Sequence, residues 1–309
     1  MIIYLWCNLI FNTIMTEENY GEVGTMDGID FLIEFLNDYY KAKLKNIHDI
    51  AGNVHLSGYS ELYKKDLFVK IFSNKDMFYA EQHVNQVYYP EIYLDSVIFE
   101  DNYVVVLKDR QLEDTDKKKI SREQAYLYGN LLADFHNKLT GNVSVYEDKN
   151  SLGEQIDTLV KTLQNTEYID DINVVNKIIK ERLEKAQLEY ELLPRVVLHG
   201  DFSIRNIKKY QDQVILIDFE RSRIGVAYQD FVKFFFNEVK DLDLRNAFLK
   251  GYRENRPFEI PSETLQSVLL FKTALEILNF HLSHPEKKFG RMADDMLVAI
   301  REDKGFLEL

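Results

Sequence analysis

The chain has 309 residues, 46% of them hydrophobic, and a formal net charge of -13. That much apolar sequence can bury a substantial core, and the length predicts two domains or lobes. The acidic balance argues against a nucleic-acid partner, because nucleic-acid phosphates would be repelled. Cys7 is the only cysteine, so an intrachain disulfide is excluded and a reducing cytoplasm is the expected location.

The first fifteen residues, MIIYLWCNLIFNTIM, are strongly apolar. A signal segment or membrane anchor is one interpretation, but the stretch lacks a basic start and a small-residue cleavage site. It is also shorter than the ~20 residues that span a bilayer. An upstream extension, with the natural start at Met15 or Met26, is the other interpretation. We expect residues 1–25 to form a peripheral N-terminal extension without stable membrane insertion.

The next hundred or so residues alternate between helical and strand patterns. Apolar residues recur at helical spacing over residues 26–44, which predicts a helix. In NVHLSGYSELYKKDLFVKIF (residues 53–72), breaks at Ser57-Gly58 and at Lys65-Asp66 predict three antiparallel strands joined by two turns. A charged and aromatic helix is predicted over residues 75–87, and SVIFE and YVVVLKD predict two further strands.

Helical patterns dominate the rest of the chain. Residues 122–141 predict a long amphipathic helix with Gly141 as its C-cap, and residues 150–193 are largely helical and highly charged. RVVLHGD and QVILIDFE return briefly to strand, and helices follow from Tyr228 onward. We predict an α+β fold: an antiparallel lobe with one helix over residues 26–107, a hinge over 108–115 and a larger helical lobe over 116–309.

The stretch HGDFSIRNI places Asp201 directly after a glycine and Asn206 five positions later, and Asp218 follows the apolar run VILI. Phosphoryl transfer from ATP requires a carboxylate that aims the attacking hydroxyl and oxygen ligands for Mg²⁺. An isolated Asp in a loop is usually a turn former, but three polar groups at this spacing after apolar strands favour function. Asp201 is therefore predicted to be the catalytic base, and Asn206 and Asp218 the metal ligands.

In LFVKIF, Lys70 places a charge in the middle of an apolar strand. A buried ammonium without a partner is costly, so a phosphate or a carboxylate is expected beside it. Glu81 on the following helix is the natural partner. The alternative is a lysine that snorkels from an edge strand. The predicted turn at Ser57, Gly58 and Ser60 is expected to present backbone N–H groups to nucleotide phosphates.

In HGDFSIRNI, ILIDFE, the lysine of LFVKIF and the helix GNLLADFHNKL, the chain resembles the aminoglycoside phosphotransferase and choline kinase group of small-molecule kinases. These enzymes share a protein-kinase-like fold. The resemblance extends from about Asn46 to the C-terminal helices. It implies that Asp201 is the base, that Asn206 and Asp218 bind magnesium, and that Lys70 contacts the α- and β-phosphates.

The resemblance also implies that residues 107–113 are the hinge that receives adenine, with Leu107 and Asp109 as nucleotide contacts. ATP with Mg²⁺ is the expected cofactor, and GTP is the alternative. Glu81 is expected to orient the strand lysine. His199 and Asp230 are expected to support the catalytic loop.

Two further side chains lie beside the motifs. Arg205 either neutralises the transferring phosphate or pairs with a surface acid. Glu220 stands where many relatives have glycine, although choline kinases also carry Glu there, and it is expected to help orient the metal-bound phosphates.

Only nine residues separate Glu220 from Asp230, which leaves no room for the activation loop of a protein kinase. The 62 residues between His136 and His199 are mostly helical and are expected to wall a small-molecule pocket. The leading hypothesis is a kinase that acts on a hydroxyl of a small cationic acceptor, of which an aminoglycoside-type antibiotic is the first candidate. Candidates for binding its amino groups are the C-terminal acids Asp241, Asp243, Asp294 and Asp295, and a solvent-facing position is the alternative for each of them.

Two alternatives remain open. The first is choline, ethanolamine or another metabolite as acceptor, which the IDFE form favours slightly. The second is a catalytically silent nucleotide-binding scaffold protein. The presence of Lys70, Asp201, Asn206 and Asp218 together argues against the silent scaffold.

Overall fold

The computed structural model describes residues 28–50, 53–115 and 120–308. The predicted N-terminal extension and the first two residues of the predicted first helix lie outside these ranges. Within them, no helix combines the length and the apolar character that a membrane span requires.

The N-terminal part is built on an antiparallel sheet of five strands in the order β1-β2-β3-β5-β4. Its strands are β1 (Lys45–Ile50), β2 (Asn53–Ser60), β3 (Lys65–Phe72), β4 (Tyr93–Phe99) and β5 (Asn102–Lys108). Helix α1 (Gly28–Tyr40) covers one face of this sheet and α2 (Lys75–Tyr88) the other.

Alternation along the strands decides which side chains meet which helix. In β5, Val104 and Val106 belong to the core under α1, whereas Val105 and Leu107 belong to the core under α2. Lys70 pairs directly with Val105 across β3 and β5. Because paired residues of antiparallel strands point to the same face, Lys70 lies on the α2 side of the sheet.

The first helix ends four residues before the predicted position. Lys41 adopts a left-handed backbone conformation with φ 46°, and Ala42 forms a β-bridge with Ser60. The apolar residue Leu44 continues the helical pattern in the sequence, but it is buried after the chain has turned toward β1.

The prediction of three strands over residues 53–72 is wrong. This segment forms two strands with one turn at residues 61–64, and Ser57-Gly58 lie inside β2. A Cβ atom on Gly58 would lie 2.1 Å from the carbonyl oxygen of Lys43. The glycine therefore serves a close approach of two backbone segments rather than a turn.

The C-terminal part is mainly helical. Its helices are α3 (Arg122–Leu139), α4 (Leu152–Thr162), α5 (Ile169–Leu192), α6 (Tyr228–Asn237), α7 (Leu242–Asn255), α8 (Glu263–Ser283) and α9 (Lys287–Arg301). Ser121 and Ser151 start α3 and α4 with reciprocal capping boxes. One large hydrophobic core joins these helices.

Short strands in the helical part carry the loops that matter for function. These strands are β6 (Glu113–Asp114), β7 (Arg195–Leu198), β8 (Ile207–Tyr210), β9 (Gln213–Leu216) and β10 (Arg223–Val226). β7 pairs with β10, and β8 lies between β6 and β9. The loops at residues 199–206 and 217–222 therefore emerge side by side. With an antiparallel sheet followed by a mainly helical part, the predicted α+β class is confirmed.

Candidate active site

The loop at residues 199–206 is held by one buried carboxylate from α6. Asp230 accepts the backbone N–H of His199 at 2.8 Å and that of Gly200 at 2.9 Å, and its Oδ2 lies 3.0 Å from Nε2 of His136. Burial opposes ionisation of Asp230, but these hydrogen bonds outweigh it and hold its pKa below the usual value. Asp230 thus fixes the loop at its base.

A second contact ties this loop to the segment after β9. The ring of His199 places Nε2 3.1 Å from the carbonyl oxygen of Ile217 and packs against Phe219. Gly200 has φ +79°, and a Cβ atom there would lie 2.0 Å from the carbonyl oxygen of Arg221. A glycine is required at this position because the backbone is left-handed and has no room for a side chain.

Asp201 is the carboxylate at the centre of the loop and is 5% exposed. Its Oδ2 lies 2.5 Å from Arg205, and its Oδ1 contacts the ammonium of Lys233. The amide Nδ2 of Asn206 donates to the Asp201 carbonyl oxygen at 2.9 Å and to Oδ2 at 3.2 Å. Burial opposes the charge, but Lys233 and Arg205 hold the pKa of Asp201 far below its usual value, so the group is an ionised acceptor.

Lys233 is a site residue that the sequence reasoning missed. It lies on α6 in the run DFVKFFF, and its side chain is 24% exposed beside Asp201. A lone charge among aromatic residues is the same signal that identified Lys70, so the residue was discoverable by that argument. Its pairing with Asp201, more than thirty positions earlier, could not be predicted from the sequence.

Lys70 lies at the junction of the two parts of the chain. Its Nζ is 2.7 Å from Oδ1 of Asp218, 3.2 Å from Oε2 of Glu81 and 3.4 Å from Oε2 of Glu220. The lysine is 3% exposed, and burial opposes its charge, but the three carboxylates raise its pKa above the usual value. The ion pair predicted with Glu81 is present, and it belongs to a larger cluster.

The carboxylates of this cluster have further partners. Glu81 accepts the backbone N–H of Phe219 at 2.7 Å, and Glu220 accepts Nδ2 of Asn53 at 3.0 Å. Burial, with Asp218 and Glu81 nearby, raises the pKa of Glu220 to about 6. One ammonium faces three carboxylates, so the cluster carries a formal excess of negative charge.

The donor set fits a hard divalent cation. Asp218 lies two residues beyond β9 with φ 70°, a left-handed conformation that Asp tolerates better than most residues. The amide nitrogen of Asn206 donates to Asp201, so its side-chain oxygen is the atom available to a cation. Among the described residues no group of three His, Cys, Asp or Glu could hold a metal. An ion here would therefore share its shell with waters and phosphates, as Mg²⁺ commonly does.

The predicted phosphate-binding turn is wrong. Ser57 and Gly58 pair with Phe68 and Leu67 of β3, and β2 also has β1 on its other side, so their N–H groups belong to strand ladders. Ser60 is fully buried and its hydroxyl donates to the carbonyl oxygen of Tyr40 at 2.6 Å. The tip of the β1–β2 hairpin, at residues 51 and 52, lies outside the described residues.

The predicted adenine contacts lie at the end of β5. Leu107 is buried and pairs with Phe68, on the same face of the sheet as Lys70. Asp109 donates its N–H to the carbonyl oxygen of Asp66 at 2.9 Å and accepts the hydroxyl of Ser57 at 3.0 Å. Their roles in nucleotide binding stay predictions.

A cavity of about 220 Å³ opens beside Asp201 between the two loops, α6, α8 and α9. Its charged lining residues are Arg205, Arg221, Arg223, Lys233, Lys272, Asp201 and Glu276. A second cavity of about 410 Å³ shares part of this wall and reaches the start of α2. Neither cavity is lined by the four acids predicted to bind an acceptor. Of these, Asp241 caps α7 and Asp295 pairs with Lys240 on the surface.

Comparison with solved structures shows the same fold at low sequence identity. A thermostable mutant of aminoglycoside phosphotransferase APH(4)-Ia is 14% identical with a TM-score of 0.60, covering 87% of this chain and 98% of that one. Amicoumacin kinase hAmiN is 12% identical with a TM-score of 0.60, covering 90% and 94%. A choline/ethanolamine kinase family protein from Mesorhizobium loti is 14% identical with a TM-score of 0.58, covering 89% and 94%.

A sequence search of curated proteins gives no match. The sequence profile of the phosphotransferase enzyme family, however, matches residues 78–261, more than half of the chain. This span contains Glu81, the loop at residues 199–206, Asp218 and Asp230, whereas Lys70 lies before it. The resemblance predicted from the motifs is confirmed: the chain belongs to the phosphotransferase enzyme family and is a small-molecule kinase.

Proposed function

We propose that this chain transfers the γ-phosphate of ATP, with Mg²⁺, to a hydroxyl group of a small molecule. The observation that carries the proposal is the position of Asp201. Its carboxylate borders a cavity on one side. On the other side its neighbour Asn206 accepts, at its backbone carbonyl oxygen, the N–H of Ile217 at 3.0 Å, directly before Asp218 of the Lys70 cluster. Acceptor, base and phosphate-binding groups would therefore meet at one point.

Each side chain has a defined task in this scheme. Asp201 accepts the proton of the attacking hydroxyl, and Lys233 and Arg205 keep it ionised. Lys70 binds nucleotide phosphates once its carboxylate partners share their charge with the cation, and Glu81 fixes its position from α2. Residues 108–115 are proposed as the hinge that joins the nucleotide lobe to the helical lobe.

Asn206 and Asp218 are the residues that would hold Mg²⁺, with Glu220 beside them. When bound, the ion neutralises phosphate charge and orients the transferring group. The structure of amicoumacin kinase contains AMP-PNP and Ca²⁺, which supports a nucleotide and a divalent cation for this chain as well. ATP is preferred over GTP in this proposal because the nucleotides in the similar solved structures are ADP and AMP-PNP. We place the enzyme in the cytoplasm, where ATP is available and a lone thiol stays reduced.

The acceptor cannot be carried over from the relatives. An aminoglycoside, or choline and its analogues, would bring positive charge into the cavity beside Asp201. That cavity is lined by five cationic side chains and two carboxylates, so the lining does not favour a cationic acceptor. The silent scaffold is disfavoured because the base, the strand lysine and both metal-binding side chains converge.

The test compares the wild-type enzyme with an Asp201→Asn variant. It measures phosphate transfer from ATP to the best acceptor of the wild-type enzyme. General-base removal of this kind costs about 10²- to 10⁴-fold in kcat, whereas ATP binding should persist. Asp212→Asn, which changes an exposed turn aspartate after β8, is the matched control and should retain full activity. Transfer by Asp201→Asn at the rate of the control would show that Asp201 is not the base.

A further inference from the structure

The cavity beside Asp201 is basic within an acidic protein. Five cations line it against two carboxylates, which leaves a formal excess of three positive charges, although the chain as a whole carries -13. Lys70, the cation predicted for the nucleotide, is not among them. The positive charge of the cavity is therefore separate from the cluster around Lys70 and needs its own explanation.

Most of these cations are engaged. Arg205 and Lys233 pair with Asp201. Lys272 lies 2.5 Å from Glu276, and Arg223 lies 3.7 Å from the same carboxylate. Both acids of the cavity are thus already shared between two cations each.

Arg221 is different. Among the described residues its guanidinium makes no hydrogen bond and no close ion pair, although Asp201, Glu220 and Glu276 lie near enough to interact with its charge. It lies over the ring of Phe280 with 5.0 Å between the guanidinium carbon and the ring centroid. Stacking on an aromatic face leaves the N–H edge of a guanidinium free to bind a carboxylate or phosphate in a bidentate manner. The close contact between its backbone and Gly200 fixes this residue beside the catalytic loop.

We infer that the acceptor carries an anionic group, a carboxylate or a phosphate, that is bound by Arg221 with Arg223 and Lys272 while its hydroxyl reaches Asp201. This inference rests on the proposed phosphotransferase function and names its substrate class. The volume of about 220 Å³ lies below the ~300–1,000 Å³ typical of drug-sized ligands, so an acceptor confined to this cavity is small.

The first experiment compares acceptor classes on the wild-type enzyme. ATP consumption is followed with glycerate, ribose 5-phosphate, choline and kanamycin. Calorimetry on the ADP-loaded protein measures binding of the same four compounds independently of turnover. We expect binding and turnover of glycerate, which carries a carboxylate, or of ribose 5-phosphate, which carries a phosphate ester. The compound that is preferred shows which anionic group the cavity binds. Binding confined to choline or kanamycin, or no binding of either anionic compound, would overturn the inference.

The second experiment removes the guanidinium. Arg221→Gln should raise the KM for the anionic acceptor by roughly 10- to 100-fold, the loss of a charged hydrogen-bonded contact, and leave the KM for ATP unchanged. Arg221→Lys should recover part of the loss. Arg301→Gln removes an equal charge on the surface of α9 and should change neither constant.

Thermal unfolding of Arg221→Gln shows whether the variant is folded. A rise in the KM for ATP instead of the acceptor would assign Arg221 to the nucleotide and refute the inference. Anionic compounds that bind but are not phosphorylated would support the anion site and contradict the proposed function, so the two failures are distinguishable.

Discussion

At the scale of single residues, Glu238 is a mostly buried acid outside the catalytic scheme. It follows α6 and accepts the backbone N–H of Ile204 in the catalytic loop at 3.2 Å. Burial raises its pKa to about 7, although that hydrogen bond and the nearby Lys233 lower it and Asp201 raises it. The folded protein therefore holds a proton on this group between about pH 4.5 and 7 that the unfolded chain releases.

This difference predicts how stability depends on pH. Because the folded state binds the extra proton, the contribution of Glu238 favours folding below about pH 4.5, falls as pH rises and is lost above about pH 7. Glu238→Gln keeps an acceptor for Ile204 and removes the charge, so it should raise the free energy of unfolding at pH 8 by about 1–3 kcal/mol and change it little at pH 5. Urea denaturation at both pH values measures this, and an equal effect at both would contradict the assignment.

The sequence predicted local pairings better than distant ones. Asp201 and Asn206 are five positions apart in one loop, and Lys70 and Glu81 are on successive elements, so spacing was enough to bring them together. Lys233 reaches the same loop from α6, about thirty positions later, and Glu238 reaches it from the position directly after that helix. No periodicity connects such groups, and only the folded path of α6 reveals them.

At the scale of elements, the close approach of β2 to the segment after α1 requires a residue without a side chain at position 58. Gly58→Ala would place a methyl group against the Lys43 carbonyl and should cost about 1–3 kcal/mol in the free energy of unfolding. Gly28→Ala at the start of α1 is the matched control, because no atom of the described residues lies within 4 Å of its added Cβ, and it should cause no loss. Urea denaturation of both variants checks this, and equal stabilities would contradict it.

The same glycine explains why the prediction of three strands over residues 53–72 was wrong. Ser57-Gly58 has turn-forming composition, but the residues on either side pair without interruption. A glycine that admits a neighbouring backbone and one that forms a turn look alike in a sequence. Strands with uninterrupted apolar residues, such as β5, and helices with capping boxes, such as α3, were predictable because their local signals agree with their burial.

At the scale of the whole molecule, the cluster around Lys70 joins the sheet to the helical part. Asp218 and Glu220 come from the segment after β9, whereas Lys70, Glu81 and Asn53 belong to the N-terminal part. A nucleotide with its cation would bind across this junction. Binding there should therefore stabilise both parts together.

Linkage gives the expected size of that effect. An ATP analogue with Mg²⁺ at 100 times its Kd should add about 2.7 kcal/mol to the stability and raise Tm by several degrees. Lys70→Met should abolish the rise, because three carboxylates would then face the phosphates without their cation. Differential scanning calorimetry measures it, and an undiminished rise in the variant would show that Lys70 does not bind the nucleotide.

Asp201 is surrounded in the resting chain by Arg205, Lys233 and the amide of Asn206. A lone water molecule entering the pocket would have to compete with two cations for the lone pairs that could take its proton. An acceptor held by Arg221, Arg223 and Lys272, as inferred above, would instead present its hydroxyl to the same carboxylate from a fixed position. Under the proposed mechanism, this difference disfavours futile ATP hydrolysis and makes nucleotide consumption depend on the arrival of the acceptor.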